Sequence, residues 1–321
     1  MTIDAVAVAS QQRLMVRVAR MYHERGLRQP EIAEQLHVSQ AKVSRLLKRA
    51  GELGIVRVTV HEPLGGNSDI EEKLAARYHL ADVVVADVNT EDEAGILTSI
   101  GVAAGTYLGE TLLGHERIGI SSWSSTLLAM VGSMQRHGRP VADAVVQVLG
   151  GVGEPTAQVE ATRLTEQFAL ITGATPQYLT TPGFVSSPQL RDALLTDPYV
   201  REIQQTWTTL TIVLAGIGSL DPSPLLRQSG NALSDDDRAE LRAKGAVGDT
   251  CLHFFDASGR PVHSDIDKRV VGISAETLLA VPRRVGVAGG ERKHEAIRGA
   301  LLGGWVNVLV TDTATAHALL T

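Results

Sequence analysis

Over the first sixty residues the apolar positions recur at helical spacing in three short runs and then alternate as in a strand. Residues 11–25 put Leu14, Val18, Ala19 and Tyr22 roughly on one stripe, which predicts a first helix. A second run, PEIAEQL, ends at the corner His37-Val38-Ser39, and a third, SQAKVSRLLKRAGELG, follows directly. Ala33, Leu36, Val38, Val43 and Leu46 or Leu47 fall where two short crossing helices need small or branched residues, and Ser39 is able to cap the second. The alternating IVRVTV at 55–60 completes the order of a winged helix-turn-helix, predicted over residues 1–60.

After Val60 both periodicities break at HEPLGGNS, predicted as a linker over 61–68. A helix over 69–79, DIEEKLAARYH, opens a second domain, 69–321. There the pattern changes to apolar runs, DVVVADV, RIGIS, ADAVVQVLGG, LTIVLAGIGS, RRVGVAGG and WVNVLVTD. Amphipathic stretches at 94–113, 124–135, 156–172, 235–244 and 291–302 separate them. Alternation of this kind, with nearly continuous Val, Ile and Leu strands, predicts an α/β fold with a mainly parallel sheet covered by helices on both faces.

Charge sharpens this division. Residues 1–62 hold ten Lys and Arg against six Asp and Glu, whereas the remainder holds twenty against thirty. A basic head on an acidic body is expected where only the head meets a polyanion. The third helical run carries Gln40, Lys42, Ser44, Arg45, Lys48 and Arg49 with no acid between Ser39 and Arg49. We expect Gln40, Lys42, Ser44 and Arg45 at base edges of a DNA major groove and Lys48 and Arg49 on phosphates. The plainer reading of those residues is a solvated cationic helix in a bundle. One cysteine, Cys251, excludes an internal disulfide, and no apolar run has membrane-spanning length. An acid near the N-terminus, where a signal peptide needs cations, adds to the expectation of a cytoplasmic chain without membrane contact.

Four predicted strands run through small or polar residues into helices, at 119–126, 149–153, 216–219 and 288–293. In a parallel sheet such ends share one edge, where glycine admits a ligand to the backbone and free N–H groups attract anions. The expected small-molecule site therefore draws on Ser121, Ser122, Ser124, Ser125 and Thr126, on Gly150 and Gly151, and on Gly216 and Gly218. Gly289, Gly290 and Lys293 close it, and Asp249 and Asp256 are carboxylates suited to sugar hydroxyls; Asp221 and Glu154 lie near the same loops. Each loop also has a purely structural reading, since strand-to-helix turns use Gly and Ser for backbone reasons. Other chemistries find little support. No loop has a full dinucleotide or eight-residue phosphate-binding motif, Gly-x-Ser-x-Gly is absent, and the ten histidines form no metal-spaced pair, so neither cofactor nor metal is expected. Gly101, Gly105 and Gly109 form a stripe expected to pack against the sheet.

The head, the GISSWSSTL loop, QVLGG, GIGS, the segment GDTCLHFFDASG and the closing VAGGERKHEAIRGALLGGWVNVLVTDTATAHALL together resemble the SorC family of sugar-operon regulators, over essentially the whole chain. The resemblance implies a transcription factor whose effector domain is similar to the sugar-phosphate isomerase and CoA-transferase group, binding a sugar, polyol or sugar phosphate. It also implies that 121–126 and the Gly289-Gly290/Lys293 loop line the pocket, with Lys293 a partner for phosphate or carboxylate. Some relatives are expected to hold an aldehyde as a Schiff base on lysine, but no lysine lies between Lys73 and Lys244, which favours a non-covalently held ligand. Ser-Ser-Trp-Ser-Ser in place of Ser-Trp-Gly further suggests a hydroxyl-rich, less charged ligand. The expected partners are double-stranded operator DNA, such an effector and further copies of the chain as a dimer or tetramer. A sugar-phosphate isomerase with a DNA-binding head is the alternative.

Overall fold

The computed structural model describes residues 3–56, 66–88, 90, 92–121, 124–151, 155–221 and 233–321. It divides into two compact units, 1–65 and 66–321. The final part of the expected wing strand (57–60), most of the expected linker, Ser122 and Glu154 lie outside the described residues.

The first unit packs three helices, α1 (Ile3–His23), α2 (Gln29–Gln35) and α3 (Gln40–Glu52), around one small core. Val18, Ala19, Ile32, Ala33, Val43, Leu46 and Ala50 are buried there, while Leu36, Val38 and Leu47 pack at its edge. The α1 stripe differs from its expectation at one end: Met15 and Met21 are buried and Tyr22 is 39% exposed, lying edge-on to His23. Between α2 and α3 the chain reverses through His37, at φ 53°, and Ser39 Oγ then accepts the Lys42 N–H at 3.3 Å to cap α3.

The second unit opens with α4 (Ser68–Tyr78), then β1 (Asp82–Ala86), α5 (Glu93–Thr111), β2 (Glu116–Ile120), α6 (Ser125–Ser133) and β3 (Ala142–Gln147). There follow α7 (Pro155–Thr172), β4 (Thr175–Gln177), α8 (Pro188–Thr196), α9 (Pro198–Trp207), β5 (Ile212–Ala215), β6 (Gly218–Ser219) and α10 (Asp235–Ala243). The chain continues as β7 (Ala246–Thr250), β8 (His253–Asp256), α11 (Ala275–Ala280) and β9 (Arg283–Val287). A single 3₁₀ turn at Glu291–Lys293 precedes α12 (His294–Leu302), β10 (Val308–Asp312) and α13 (Thr313–Leu320).

Seven strands form one sheet in the order β1-β10-β9-β5-β2-β3-β4, and every pairing is parallel. Alternate residues serve opposite faces: Ile212 and Leu214 join one apolar layer with Ile118, Ile120 and Val310, while Val213 and Ala215 join the other with Val146 and Leu309. The six apolar runs supply β1, β2, β3, β5, β9 and β10. A second, antiparallel sheet, β6-β7-β8, stands apart from the first. The glycine stripe of α5 packs on α6 rather than on the sheet: a Cβ at Gly101 would come within 2.7 Å of Ala129 Cβ, and one at Gly105 within 2.9 Å of Met134 Cγ. Among the described residues no helix is long and apolar enough to cross a membrane.

Candidate functional sites

Helix α3 turns Val43, Leu46 and Ala50 inward, which leaves Gln40, Lys42, Ser44, Arg45, Lys48 and Arg49 all exposed. Arg45 Nε donates to Ala41 O at 3.3 Å, and Lys48 stands 4.0 Å from Glu52 at the end of the helix. The remaining cations of this face make no ion pair among the described residues. An exposed helical surface without acids from Ser39 to Arg49, with a capped first turn, has the chemistry of a groove-reading element.

In the second unit the order of strands reverses at β2 and β5. From β2 the chain moves outward to β3 and β4, then returns to β5 on the other side of β2. Ligands of open parallel sheets bind at such a switch point, beyond the carboxyl ends of the strands. A cleft open to solvent lies there. Ser121 after β2, Ser124 and Ser125 at the start of α6, and Gly216 to Asp221 after β5 form one part of its wall. Asp249, Cys251, Leu252 and Phe254 of the β7–β8 hairpin form another, and Arg238 of α10 with Arg292 and Lys293 of the 3₁₀ turn bring positive charge. Leu149, Ile217, Leu220 and Leu233 supply apolar surface.

Most polar groups of the cleft are already engaged. Ser124 Oγ accepts the Leu127 N–H at 3.3 Å and lies 2.8 Å from Thr126 Oγ1, whose own hydrogen goes to Val287 O at 3.1 Å. Ser121 is hydrogen-bonded to the Cys251 thiol, Arg238 pairs with Asp235, Arg292 with Glu93, and Asp221 with Arg242 at 2.6 Å. Lys293 and Ser125 differ: among the described residues neither side chain has a hydrogen-bonding or ionic partner. The protein around Lys293 holds its ammonium below the ordinary lysine range, through burial first and then the neighbouring Arg292; Asp249 and Glu93 oppose this. Burial also pushes the Asp249 carboxyl up to about 6, against the Leu252 N–H and the Lys293 charge. Both groups keep some accessible surface, as a cleft wall must, while protein crowds them from behind.

The hairpin between β7 and β8 is strained. Thr250 pairs with His253, so Cys251 and Leu252 are the two residues of the turn, at φ 53° and 62°. A turn of this type normally uses Asn-Gly, and each side chain other than Asn, Asp or Gly held in the left-handed region costs about 1–2 kcal/mol. Asp249 offsets part of that cost, since its Oδ2 accepts the Leu252 N–H at 3.0 Å. Its carboxylate fits only because residue 218 is glycine: a Cβ there would come within 2.0 Å of Asp249 Oδ1.

Of the residues singled out for this site, Ser121, Ser124, Ser125, Gly216, Gly218, Asp221, Asp249 and Lys293 line the cleft, and the others described do not. Thr126 is buried behind Ser124. Gly150 is packed against the backbone of 181–183, and Gly151 pairs with Pro182, so both join loops rather than face the ligand space. Asp256 closes its own turn by accepting from Ser258 and Arg260, bonds that hold its carboxyl below the usual range. Gly289 and Gly290 are pinned on Asp312, whose Oδ2 accepts the Gly290 N–H at 2.8 Å. Arg238, Arg292, Cys251, Leu252 and Phe254 were missed. Their approach is a product of the small antiparallel sheet and α10, which no local pattern of cations announces.

Known proteins resemble the chain along its full length. The family model described as "Putative sugar-binding domain" matches residues 62–321. The deoxyribonucleoside regulator of Bacillus subtilis (strain 168) is 32% identical over 308 residues, 96% of this chain and 97% of its own. The crystal structure of the full-length sorbitol operon regulator SorC from Klebsiella pneumoniae has a TM-score of 0.73 at 27% identity, covering 96% of this chain and 99% of that one. A sugar-binding domain of the transcriptional regulator DeoR from Pseudomonas syringae pv. tomato is 37% identical with a TM-score of 0.63, over 79% of this chain and 99% of that one. A three-helix head with an exposed basic helix, a parallel sheet with its cleft at the switch point, and these likenesses agree: the chain belongs to the SorC family of transcriptional regulators, with that family's sugar-binding domain over residues 62–321.

Proposed function

We propose that the chain binds operator DNA through α3 and that a sugar, polyol or sugar phosphate in the cleft of the second unit sets the strength of that binding. The observation that carries this reading is the pairing, in one chain, of an exposed helical face free of acids from Ser39 to Arg49 with a cleft whose Lys293 and Ser125 side chains lack partners among the described residues. Lys293 receives an anionic or strongly polar group of the effector, with the Ser125 hydroxyl in the same cleft wall and Asp249 accepting from effector hydroxyls. The protein works as a homo-oligomer, a dimer or tetramer, because one recognition helix spans too few base pairs to find an operator alone. Relatives named as a sorbitol operon regulator and a deoxyribonucleoside regulator support an effector of this class.

The test begins with a thermal-shift screen of sugars, polyols and their phosphates, since a ligand at 100 times its dissociation constant adds about 2.7 kcal/mol to the folded state. Compounds that shift the midpoint are then added to a titration of operator DNA. An effector that stabilises the chain and changes operator affinity supports the reading; stabilisation by none of them counts against it.

One observation favours a second reading, an isomerase-like enzyme: Asp249, raised to about 6, shares the cleft with a depressed lysine, as a general acid and base would. The regulator is preferred because Asp249 already holds the Leu252 amide. Turnover of aldose or ketose phosphates by the purified chain, abolished in Asp249→Asn, would reverse that preference.

A further inference from the structure

The β7–β8 turn has a feature that effector binding does not require. Two consecutive residues, neither of them glycine, are held left-handed, and both face the cleft. Cys251 is 5% exposed, with its thiol bonded to Ser121 at the end of β2, and Leu252 packs at the edge of a cluster containing Leu149 and Phe254. A turn whose backbone prefers another conformation keeps this one only if something outside the turn holds it. Asp249 is placed to do so from within the cleft, by the 3.0 Å bond from Leu252 N–H, in space that Gly218 leaves open.

We propose that Asp249 is a positioning residue: its carboxylate latches the strained Cys251–Leu252 turn in the form that shapes the cleft wall. The significance of that wall rests on the reading of the cleft as the effector site; the latch itself does not. An effector hydroxyl donated to the same carboxylate then competes with the Leu252 amide, which makes this turn the first part of the wall to respond to the ligand.

Cys251 is the only cysteine of the chain, so its alkylation reads one site, and Asp249→Asn, which removes the charge that raises the thiol but keeps an acceptor, is the reference. The rate of reaction with N-ethylmaleimide is measured on the full native chain without effector, beside the thermal midpoint of each variant. Asp249→Ala should label about tenfold faster than Asp249→Asn, the factor corresponding to about one lost hydrogen bond. Asp249→Asn, which keeps an acceptor, should exceed the parent rate only through the lost charge that had raised the thiol, an effect that Asp249→Ala shares. Adding Leu252→Gly to Asp249→Ala should slow labelling again, because glycine takes the left-handed form without a latch. Labelling of Asp249→Ala within twofold of Asp249→Asn overturns the proposal, and so does a double variant as fast as Asp249→Ala. If Asp249→Ala does not fold, Leu252→Gly in the parent decides: slower labelling supports a strained turn, and an unchanged or faster rate overturns it. Failure of every effector to bind the parent chain would count against the effector reading alone, since these rates are measured without one.

Discussion

Lys293 and Asp249 line one cleft and feel each other's charge, yet form no ion pair within 4 Å. A half-buried cation and a half-buried carboxyl that do not neutralise each other leave the cleft able to accept an anion at one group and a hydroxyl at the other. Such an arrangement destabilises the empty protein and favours a ligand that completes it.

Lys293→Ala therefore separates binding from folding. Loss of a charge-assisted hydrogen bond corresponds to about 1.5–3 kcal/mol, so affinity for a phosphorylated effector should fall about tenfold to a hundredfold. A neutral polyol should lose far less, and the thermal midpoint of the free chain should hold or rise. Calorimetric titration of both ligand types checks this, and equal losses for both would remove the phosphate role.

Asp249 makes stability depend on pH with a definite sign. Its folded-state value, about 6, lies above the ordinary 3.8, so the folded chain holds a proton that the unfolded chain has released. The associated stability is complete below about 3.8 and is lost as pH rises through about 6. At pH 8 Asp249→Asn should be more stable than the parent, by at most about 3 kcal/mol, and the advantage should vanish near pH 4. Thermal midpoints of both proteins across that range check it.

Gly218→Ala addresses the same carboxylate from behind. The added methyl would lie 2.0 Å from Asp249 Oδ1, so the side chain must move. We expect effector affinity to drop about tenfold or more, in the range of a lost hydrogen bond to a charged group, and Cys251 labelling to accelerate. An unchanged effector isotherm would show that Asp249 does not contact the ligand.

In the head, Arg45→Ala should weaken operator binding by about 1–3 kcal/mol and relax preference at one position of the site. Lys48→Ala should weaken binding to all sequences alike and reduce the salt dependence by about one ion. Anisotropy titrations at several salt concentrations distinguish the two. Neither variant should alter the effector thermal shift.

Much of this was legible in the chain because it rests on short-range pattern. Ser39, Val43 and Leu46 mark α3 by capping and period, and runs such as 82–88 and 306–312 are too apolar to be anything but buried strands. The switch-point loops followed from where those runs end. What escaped was set by contacts distant in sequence. Gly289 and Gly290 read as ligand-facing but serve Asp312, and Gly150 serves the 181–183 loop. Gly101 is at helical spacing for close packing, but nothing local distinguishes a helix partner from a sheet. The Cys251–Leu252 turn was invisible for a stronger reason: its residues are the wrong ones for its conformation, and only Asp249, Gly218 and Ser121 together explain why it holds.

The central claim is that occupancy of the cleft changes the grip of α3 on DNA. Because linkage is reciprocal, one titration tests it: operator affinity of the full chain with and without a saturating effector, in the parent and in Lys293→Ala. We expect a shift of about fivefold to 150-fold in the parent, the usual range of allosteric coupling, and at the same effector concentration little shift in Lys293→Ala, whose effector-free operator affinity is unchanged. An effector that saturates the cleft of the parent and leaves operator affinity where it was would contradict the claim.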